Sequence, residues 1–102
     1  MQEFTAFDAV TSTGSKRLGV RGFDTAEIEI YGTATSATVR FKGASKSGID
    51  RDRMGINMAD FSTGLAGSMG QVWQVNIGGM DSMLLDLTAA TGGTVSVNVR
   101  CF

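Results

Sequence analysis

Histidine and proline are absent from this sequence, and cysteine occurs once, as Cys101. The lack of histidine removes the commonest general acid–base catalyst and a leading metal ligand. We therefore expect no enzymatic activity and no bound metal or cofactor. A single cysteine cannot form an internal disulfide. We interpret Cys101 as a small buried hydrophobic residue near the end of a strand, with a reactive thiol as the alternative.

Long apolar runs and an excess of charge of one sign are also missing. No stretch approaches the roughly 20 apolar residues of a membrane-spanning helix. Residues 1–10 lack the basic and apolar regions of a secretory signal. Nine basic and ten acidic side chains nearly cancel, so the chain lacks the basic patch that nucleic acid binding requires. These absences predict folding in a cytoplasm, with neither membrane nor nucleic acid as a partner.

Length and apolar content predict one folded domain. The chain has 102 residues, 42% of them hydrophobic, which fits a single compact domain over residues 1–102 and excludes a disordered chain. Residues 1–16 are expected to form an N-terminal arm or an edge strand of that domain.

A period of two, typical of half-buried β-strands, is the main pattern in the sequence. Residues 26–31 and 37–42 alternate apolar with polar and flank a loop of small residues, which predicts an antiparallel hairpin. One register matches both faces of this hairpin. Its expected cross-strand pairs are Ile28 with Phe41, Ile30 with Val39, Glu29 with Arg40 and Glu27 with Lys42.

The same alternation recurs towards the C-terminus. Residues 72–77, 83–88 and 95–101 predict three strands joined by glycine-bearing turns, which we interpret as a meander. Trp73 is in phase with the apolar face, so a core position is favoured over an exposed ligand platform.

Weaker alternation predicts strands at 4–10, 17–22 and 54–58. Residues 58–70 are expected to form a long loop. Its glycines, Gly64, Gly67 and Gly70, are expected to adopt positive φ angles. The total of about eight short strands predicts an all-β fold, an antiparallel, jelly-roll-like β-sandwich.

Two polar segments are candidate ligand sites. Residues 43–47 lack the glycine before lysine that a phosphate-binding loop needs, so we interpret them as an ordinary polar loop. The charge run at residues 50–53 has three interpretations: a self-neutralising solvated loop, an intersubunit salt-bridge element, or a metal site. The interleaved arginines oppose a cation, so the metal site is disfavoured.

The candidate contact residues are loop methionines, arginines of the charge run, and two phenylalanines of the N-terminal segment, which either packs on the body of the domain or reaches a neighbour. Methionines in loops are adaptable interface side chains, although they serve equally well as caps on the open ends of a sandwich. The candidate interface comprises Phe4, Phe7, Arg51, Arg53, Met54, Met58, Met69 and Met80.

From Gly22 to Arg100 the chain resembles a family of small β-sandwich virion proteins of tailed bacteriophages, found as head decoration, neck or tail components. Four landmarks carry the resemblance: Ile28–Thr33, Thr38–Ser45, Val75–Met80 and Thr88–Val97. The chain departs from the family's Ser-x-Asp-Gly-x-x-Trp segment, since Ser47–Asp50 is followed by no nearby tryptophan. That departure weakens a carbohydrate-facing role.

The resemblance implies a non-enzymatic structural protein of a bacteriophage virion, made in the bacterial host cytoplasm. The expected role is capsid decoration or cement, or a small tail component, acting by symmetric assembly. Its expected partners are itself, as a homo-oligomer, and other virion proteins such as a major capsid or tail protein. The alternative is a carbohydrate- or receptor-binding module of a phage tail, for which Trp73 or Tyr31 should face solvent.

Overall fold

The computed structural model describes residues 1–102 and contains eleven β-strands. They are β1 (Gln2–Val10), β2 (Gly14–Gly19), β3 (Thr25–Gly32), β4 (Ser36–Ala44), β5 (Asp50–Asp52), β6 (Gly55–Asn57), β7 (Thr63–Gly64), β8 (Ala66–Ser68), β9 (Val72–Asn76), β10 (Ser82–Thr91) and β11 (Val95–Cys101). The structure has no helix with the length and apolarity that a membrane crossing requires.

The strands form two antiparallel sheets, which confirms the predicted all-β, sandwich-like fold. Sheet 1 has the order β1-β11-β3-β9-β6-β7, and sheet 2 has the order β2-β10-β4-β5, with β8 also paired to β4. A cluster of 22 buried residues makes up the hydrophobic core. Within it the rings of Phe41 and Trp73, from opposite sheets, lie with centroids 5.4 Å apart. The core position predicted for Trp73 is confirmed, since it is only 5% exposed.

The predicted hairpin between β3 and β4 is wrong. β3 pairs with β11 and β9 in sheet 1, whereas β4 pairs with β10 in sheet 2. The apolar residues of β3 and β4 pack in the same core, although the two strands are not hydrogen-bonded to each other. Alternation of apolar and polar residues therefore could not distinguish a hairpin from two strands in opposite sheets. The charged residues face other charges: Glu27 is in register with Arg100, whose ion pair is with Glu3, and the Lys42 Nζ is 3.8 Å from an Asp86 oxygen.

The predicted C-terminal meander is wrong for the same reason. β9 and β11 belong to sheet 1, while β10 lies between β2 and β4 in sheet 2. Each connection therefore crosses from one sheet to the other. The loop after β3 also crosses, and it is held by Thr94, whose carbonyl accepts hydrogen bonds from the backbone N–H groups of Thr33 and Ala34.

The middle of the chain departs most from expectation. Residues 58–70 do not form one long loop, because they contain the short strands β7 and β8. Together with β5 and β6, they raise the number of strands above the predicted eight. These strands were missed because a segment of two or three residues is too short to show alternation. The strand predicted at 54–58 exists as β6, but Ile56 is 41% exposed, while Gly55 lies against the core, where a Cβ would be 3.1 Å from the Trp73 ring.

The N-terminal strands follow the prediction with small shifts. β1 covers the strand expected at 4–10, lies at the edge of sheet 1 and pairs along its length with β11. β2 begins three residues before the strand expected at 17–22 and ends at Gly19. Of the three glycines expected at positive φ, only Gly70 has one, at 78°. Gly64 and Gly67 are instead close to the Trp73 side chain.

Candidate functional site

The structure distributes the candidate interface residues over the core and two opposite edges of the sandwich. Phe7 and Met80 are buried, the latter to 2% exposure, which corrects their assignment to a surface. Met80 fills the space beside Gly43, where a Cβ would be 1.7 Å from the Met80 methyl carbon, and its sulfur accepts a hydrogen bond from Arg53 Nε at 3.2 Å. Phe4 is half-buried in β1, at the edge of sheet 1 away from β6 and β7.

The other candidates lie within or next to one stretch, residues 49–65, which we call the wrapping segment. It passes from β5 on sheet 2 to β6 and β7 on sheet 1 and returns to sheet 2 at β8. Two hydrogen bonds fasten it to the same core residue, because the Phe41 carbonyl accepts from the Arg53 N–H and the Phe41 N–H donates to the Leu65 carbonyl. Arg51 and Met54 are exposed, and Arg53 and Met58 are half-buried. Met69 is half-buried just beyond the segment and packs on the core.

The wrapping segment carries most of the exposed large hydrophobic side chains of the chain. Five of the eight large hydrophobic side chains that face solvent belong to it. They are Ile49, Met54, Ile56, Phe61 and Leu65. Sequence reasoning identified only Met54 among these. Ile49, Phe61 and Leu65 fall in segments without alternation, and Ile56 lies within the strand predicted at 54–58. A concentration of apolar residues within a short surface stretch is typical of a protein contact.

Phe61 is the most prominent of these residues. It is 71% exposed and has a φ of 60°, a left-handed conformation that is uncommon for a bulky residue. The turn that holds it is closed by hydrogen bonds: the Phe61 N–H donates to the Asn57 carbonyl at 2.7 Å, and Asp60 Oδ1 accepts from the Ser62 N–H and hydroxyl. These bonds to Ser62 lower the pKa of Asp60. The turn thus presents Phe61 outward in a preformed geometry.

An open groove of about 490 Å³ lies beside this turn. It is lined by seven residues, Asn57, Met58, Ala59, Asp60, Gly70, Gln71 and Val72. Gln71 is held in place, since its Oε1 accepts hydrogen bonds from Trp73 Nε1 and from the Ser68 N–H. Met58 therefore borders a surface groove and does not cap an end of the core.

The charge run at residues 50–53 is not self-neutralising. Asp50 accepts two hydrogen bonds, at 3.0 and 2.6 Å, from the guanidinium of Arg17 on β2, and Asp52 pairs with Arg40 on β4 at 3.0 Å. The Arg17 side chain, which also donates to Ser82, spans sheet 2 from one edge strand to the other. Hydrogen bonding to Arg17 lowers the pKa of Asp50. Arg51 and Arg53 are left without a carboxylate partner.

The outer face of sheet 1 carries unpaired carboxylates, in contrast to the unpaired arginines of the wrapping segment. Glu27, Glu29, Val72, Asn98 and Arg100 line a depression of about 180 Å³ on β3, β9 and β11. Arg100 is drawn to Glu3 on β1, with its Nε 2.9 Å from the carboxylate, and this hydrogen bond lowers the pKa of Glu3. Tyr31 shares this face and is 46% exposed.

Groups with chemical reactivity are few. Cys101 is buried in the core, as expected, and burial raises the pKa of its thiol, which opposes formation of the reactive thiolate. No three histidine, cysteine, aspartate or glutamate side chains are close enough to hold a metal ion. The surface carries an apolar and basic segment and, on the outer face of sheet 1, two glutamates.

Comparison with known proteins by sequence finds a matching family model and related proteins. The family model described as XepA matches residues 1–101. The chain is 38% identical over 80 residues to the Bacillus subtilis protein YqxG, and 33% identical over 72 residues to the phage-like element PBSX protein XepA of the same organism. These alignments cover 76% and 69% of the chain but 27% and 25% of the two relatives. The chain thus spans about a quarter of the length of these relatives.

Two crystal structures resemble this one. The PBSX exported protein XepA matches with a TM-score of 0.94 at 27% identity, covering 98% of this chain and 37% of XepA. The SPBc2 prophage-derived protein YomS matches with a TM-score of 0.88 at 22% identity, covering 99% of this chain and 92% of YomS. The likeness to YomS shows the fold, and in XepA the same fold forms part of a longer chain.

Proposed function

Since the chain belongs to the XepA family, we propose that it is a non-enzymatic structural protein of a bacteriophage particle. In this role it decorates or cements a capsid, or forms a small part of a tail. It acts by binding copies of itself and other proteins of the particle.

The observation that carries this proposal is the apolar surface of the wrapping segment. Met54 and Phe61 are exposed on a segment that is hydrogen-bonded to both sheets, so they are held in place without a partner. Preformed apolar anchors bind with little loss of conformational entropy. Repeated over many copies on a fixed lattice, even a weak contact of this kind stiffens a particle by multivalency.

The relatives support the association with phage. YomS is named as prophage-derived, and XepA is named as a protein of a phage-like element and as exported. Export from the producing cell is compatible with two routes, release inside a particle and release as a free protein. We propose release inside a particle.

A carbohydrate- or receptor-binding module of a phage tail is the second candidate, and one observation favours it. Tyr31 is 46% exposed beside the carboxylate of Glu29 on the outer face of sheet 1. Trp73 cannot serve as the stacking platform because it is buried. This candidate predicts that glycans shift the chemical shifts of Tyr31 in NMR titrations, and that Tyr31→Ala removes the effect.

Mass spectrometry of purified particles tests the leading proposal. The chain should be present at a fixed copy number, hundreds for a capsid protein or about a dozen for a neck or tail component, and depleted from the particle-free supernatant. A variant with Met54→Ser and Phe61→Ser should be lost from particles, whereas Lys16→Gln, a change on β2 at the other side of the sandwich, should be retained. Recovery of the wild-type chain only in the supernatant would contradict a virion role.

A further inference from the structure

We propose that the groove beside the Phe61 turn, lined by residues 57–60 and 70–72, binds a neutral glycan through an N-acetylhexosamine unit. This inference rests on the second candidate function, for which it names the class of sugar and the groups that bind it. It is compatible with the assembly role, because Met54 and Phe61 do not line the groove.

Asn57 brings an unused hydrogen-bond donor to this groove, although the residue is only 6% exposed. Its Oδ1 accepts a hydrogen bond from the Ala59 N–H at 3.0 Å. Since that N–H can only donate, the amide oxygen must face it, and the Nδ2 group is left without an acceptor in the chain. The only fully buried side-chain nitrogen or oxygen without a partner is Asn98 Oδ1, so Asn57 Nδ2 opens to the groove.

Gln71 supplies a second donor in the same way. Its Oε1 accepts from Trp73 Nε1 at 2.9 Å and from the Ser68 N–H at 2.8 Å. Both of these groups can only donate, so the orientation of the amide is fixed and its Nε2 group has no acceptor in the chain. The groove therefore has two amide donors that are held in position before a ligand arrives, which lowers the entropic cost of binding.

The charge of the groove selects against anionic ligands. Asp60 uses one carboxylate oxygen, Oδ1, for the hydrogen bonds from Ser62, and its Oδ2 receives none from the chain. None of the seven lining residues is a lysine or an arginine. A phosphate or carboxylate would be repelled by Asp60, whereas a neutral ligand with both hydroxyl donors and carbonyl acceptors matches the groups present.

The walls of the groove are apolar, and an aromatic residue lies next to it in the fold. Met58 and Val72 are the larger apolar lining residues. The Gly70 N–H donates to the Ile30 carbonyl at 2.8 Å, which places Tyr31, the next residue of β3 and 46% exposed, beside this end of the groove. Apolar and aromatic walls with a few fixed polar groups, in a volume of about 490 Å³, are typical of small-molecule sites.

An N-acetylhexosamine carries the groups that this groove requires. The carbonyl of its acetamido group accepts from the amides of Asn57 and Gln71, the methyl group packs on the apolar wall, and a ring hydroxyl donates to Asp60. A peptide also offers carbonyl groups, but an extended peptide usually binds by adding a strand to a sheet edge. The edge strand of sheet 1 on this side, β7, has only two residues, which favours the sugar.

NMR titration of the full chain with two matched sugars tests the site. Chitotetraose and cellotetraose have the same linkage and length, and differ in one group per sugar, an acetamido in the first and a hydroxyl in the second. Chitotetraose should shift the signals of Ala59 and Gln71 with a dissociation constant of about 1 mM or tighter. Cellotetraose should bind about tenfold more weakly, because it leaves the amide donors unpaired. Equal binding of cellotetraose, or of a capped tetraalanine peptide, would overturn the inference.

Two isosteric variants test the donors. Gln71→Glu keeps the acceptor for Trp73 and Ser68 but replaces the free donor with an oxygen, so it should weaken binding of chitotetraose about tenfold or more. Gln74→Glu makes the same change on β9 outside the groove and should leave binding unchanged. Asn57→Asp keeps its Oδ1 acceptor and should also weaken binding. Tryptophan fluorescence checks that each variant is folded, and if one is not, the other decides alone.

The outcomes separate this inference from the function on which it rests. If chitotetraose shifts Tyr31 while Gln71→Glu and Asn57→Asp bind it as the wild type does, the second candidate function stands and the groove is not the site. If chitotetraose produces no saturable shift in the groove or at Tyr31, the inference is overturned. Loss of binding in both variants, with Gln74→Glu unaffected, is the result that the inference requires.

Discussion

We expect any side chain at Gly67 to destabilise the fold for steric reasons. The backbone conformation at this position is one that every residue can adopt. It lies in β8 at an ordinary φ, and a Cβ there would be 2.7 Å from Trp73 Nε1 and 2.8 Å from the Ile30 Cδ1. Both distances are shorter than real Cβ contacts. Since the Trp73 indole is buried and hydrogen-bonded to Gln71, it cannot move away without loss. Overpacking of a core costs about 1–3 kcal/mol, which is the expected effect of Gly67→Ala on the free energy of unfolding.

A double-mutant cycle with Ile30→Val tests this explanation. Ile30→Val removes the Cδ1 atom that the new methyl group would meet and should itself cost about 0.5–1.5 kcal/mol. In that background Gly67→Ala should cost less, with an interaction energy of about 0.5 kcal/mol or more. Gly19→Ala is the matched control, since nothing lies within 4 Å of a Cβ at Gly19.

Urea unfolding followed by tryptophan fluorescence measures these energies, because Trp73 is the only tryptophan of the chain. At about 4–8 °C per kcal/mol, the loss in Gly67→Ala should also be visible as a lower Tm. A cost of Gly67→Ala below about 0.5 kcal/mol, or an equal cost in both backgrounds, would refute the close contact between β8 and the core.

Four further predictions concern strain, acid, alkali and the accessibility of a buried thiol. Phe61→Gly should be more stable than Phe61→Ala by about 1 kcal/mol in urea unfolding. The φ of 60° at this position is strained for alanine, whereas glycine adopts it without strain. Equal stabilities of the two variants would contradict backbone strain at this position. The pKa of Asp50 is lowered by Arg17, so the unfolded state binds the proton more readily and the carboxylate stabilises the fold above its unfolded pKa. That contribution is lost as the pH falls through the folded pKa, and Asp50→Asn should flatten the acid side of a Tm-against-pH profile; an unchanged profile would contradict the ion pair. Burial raises the pKa of Cys101 above its ordinary value of 9.0, so stability should decline as the pH rises past that value, and Cys101→Ala should lack this decline. At neutral pH a thiol reagent should react with Cys101 at the rate of unfolding, and rapid reaction of the folded protein would show that the thiol is accessible.

The candidate surface was only partly predictable from the sequence. Arg51 was identified from the charge run at residues 50–53, and Met54 as a methionine in or near a loop, where it can serve as an adaptable interface contact. Ile49, Ile56 and Phe61 were missed, since their exposure depends on how the wrapping segment is anchored to Phe41, a contact between residues distant in the chain. Met80 was misassigned because the cavity it fills is created by Gly43, on another strand.

Alternation of apolar and polar residues by itself determined that the chain is all-β and which side of each long strand faces the core. Burial acts on one residue at a time, so a period of two records it locally, as in Val95, Val97 and Val99. The partners of each strand were decided only by the tertiary structure. In a sandwich, two consecutive strands bury the same side chains whether they pair within one sheet or face each other across the core. Complementary charges did not resolve this choice, because opposite charges also face each other in the observed arrangement: Glu27 is in register with Arg100, and Lys42 lies 3.8 Å from Asp86.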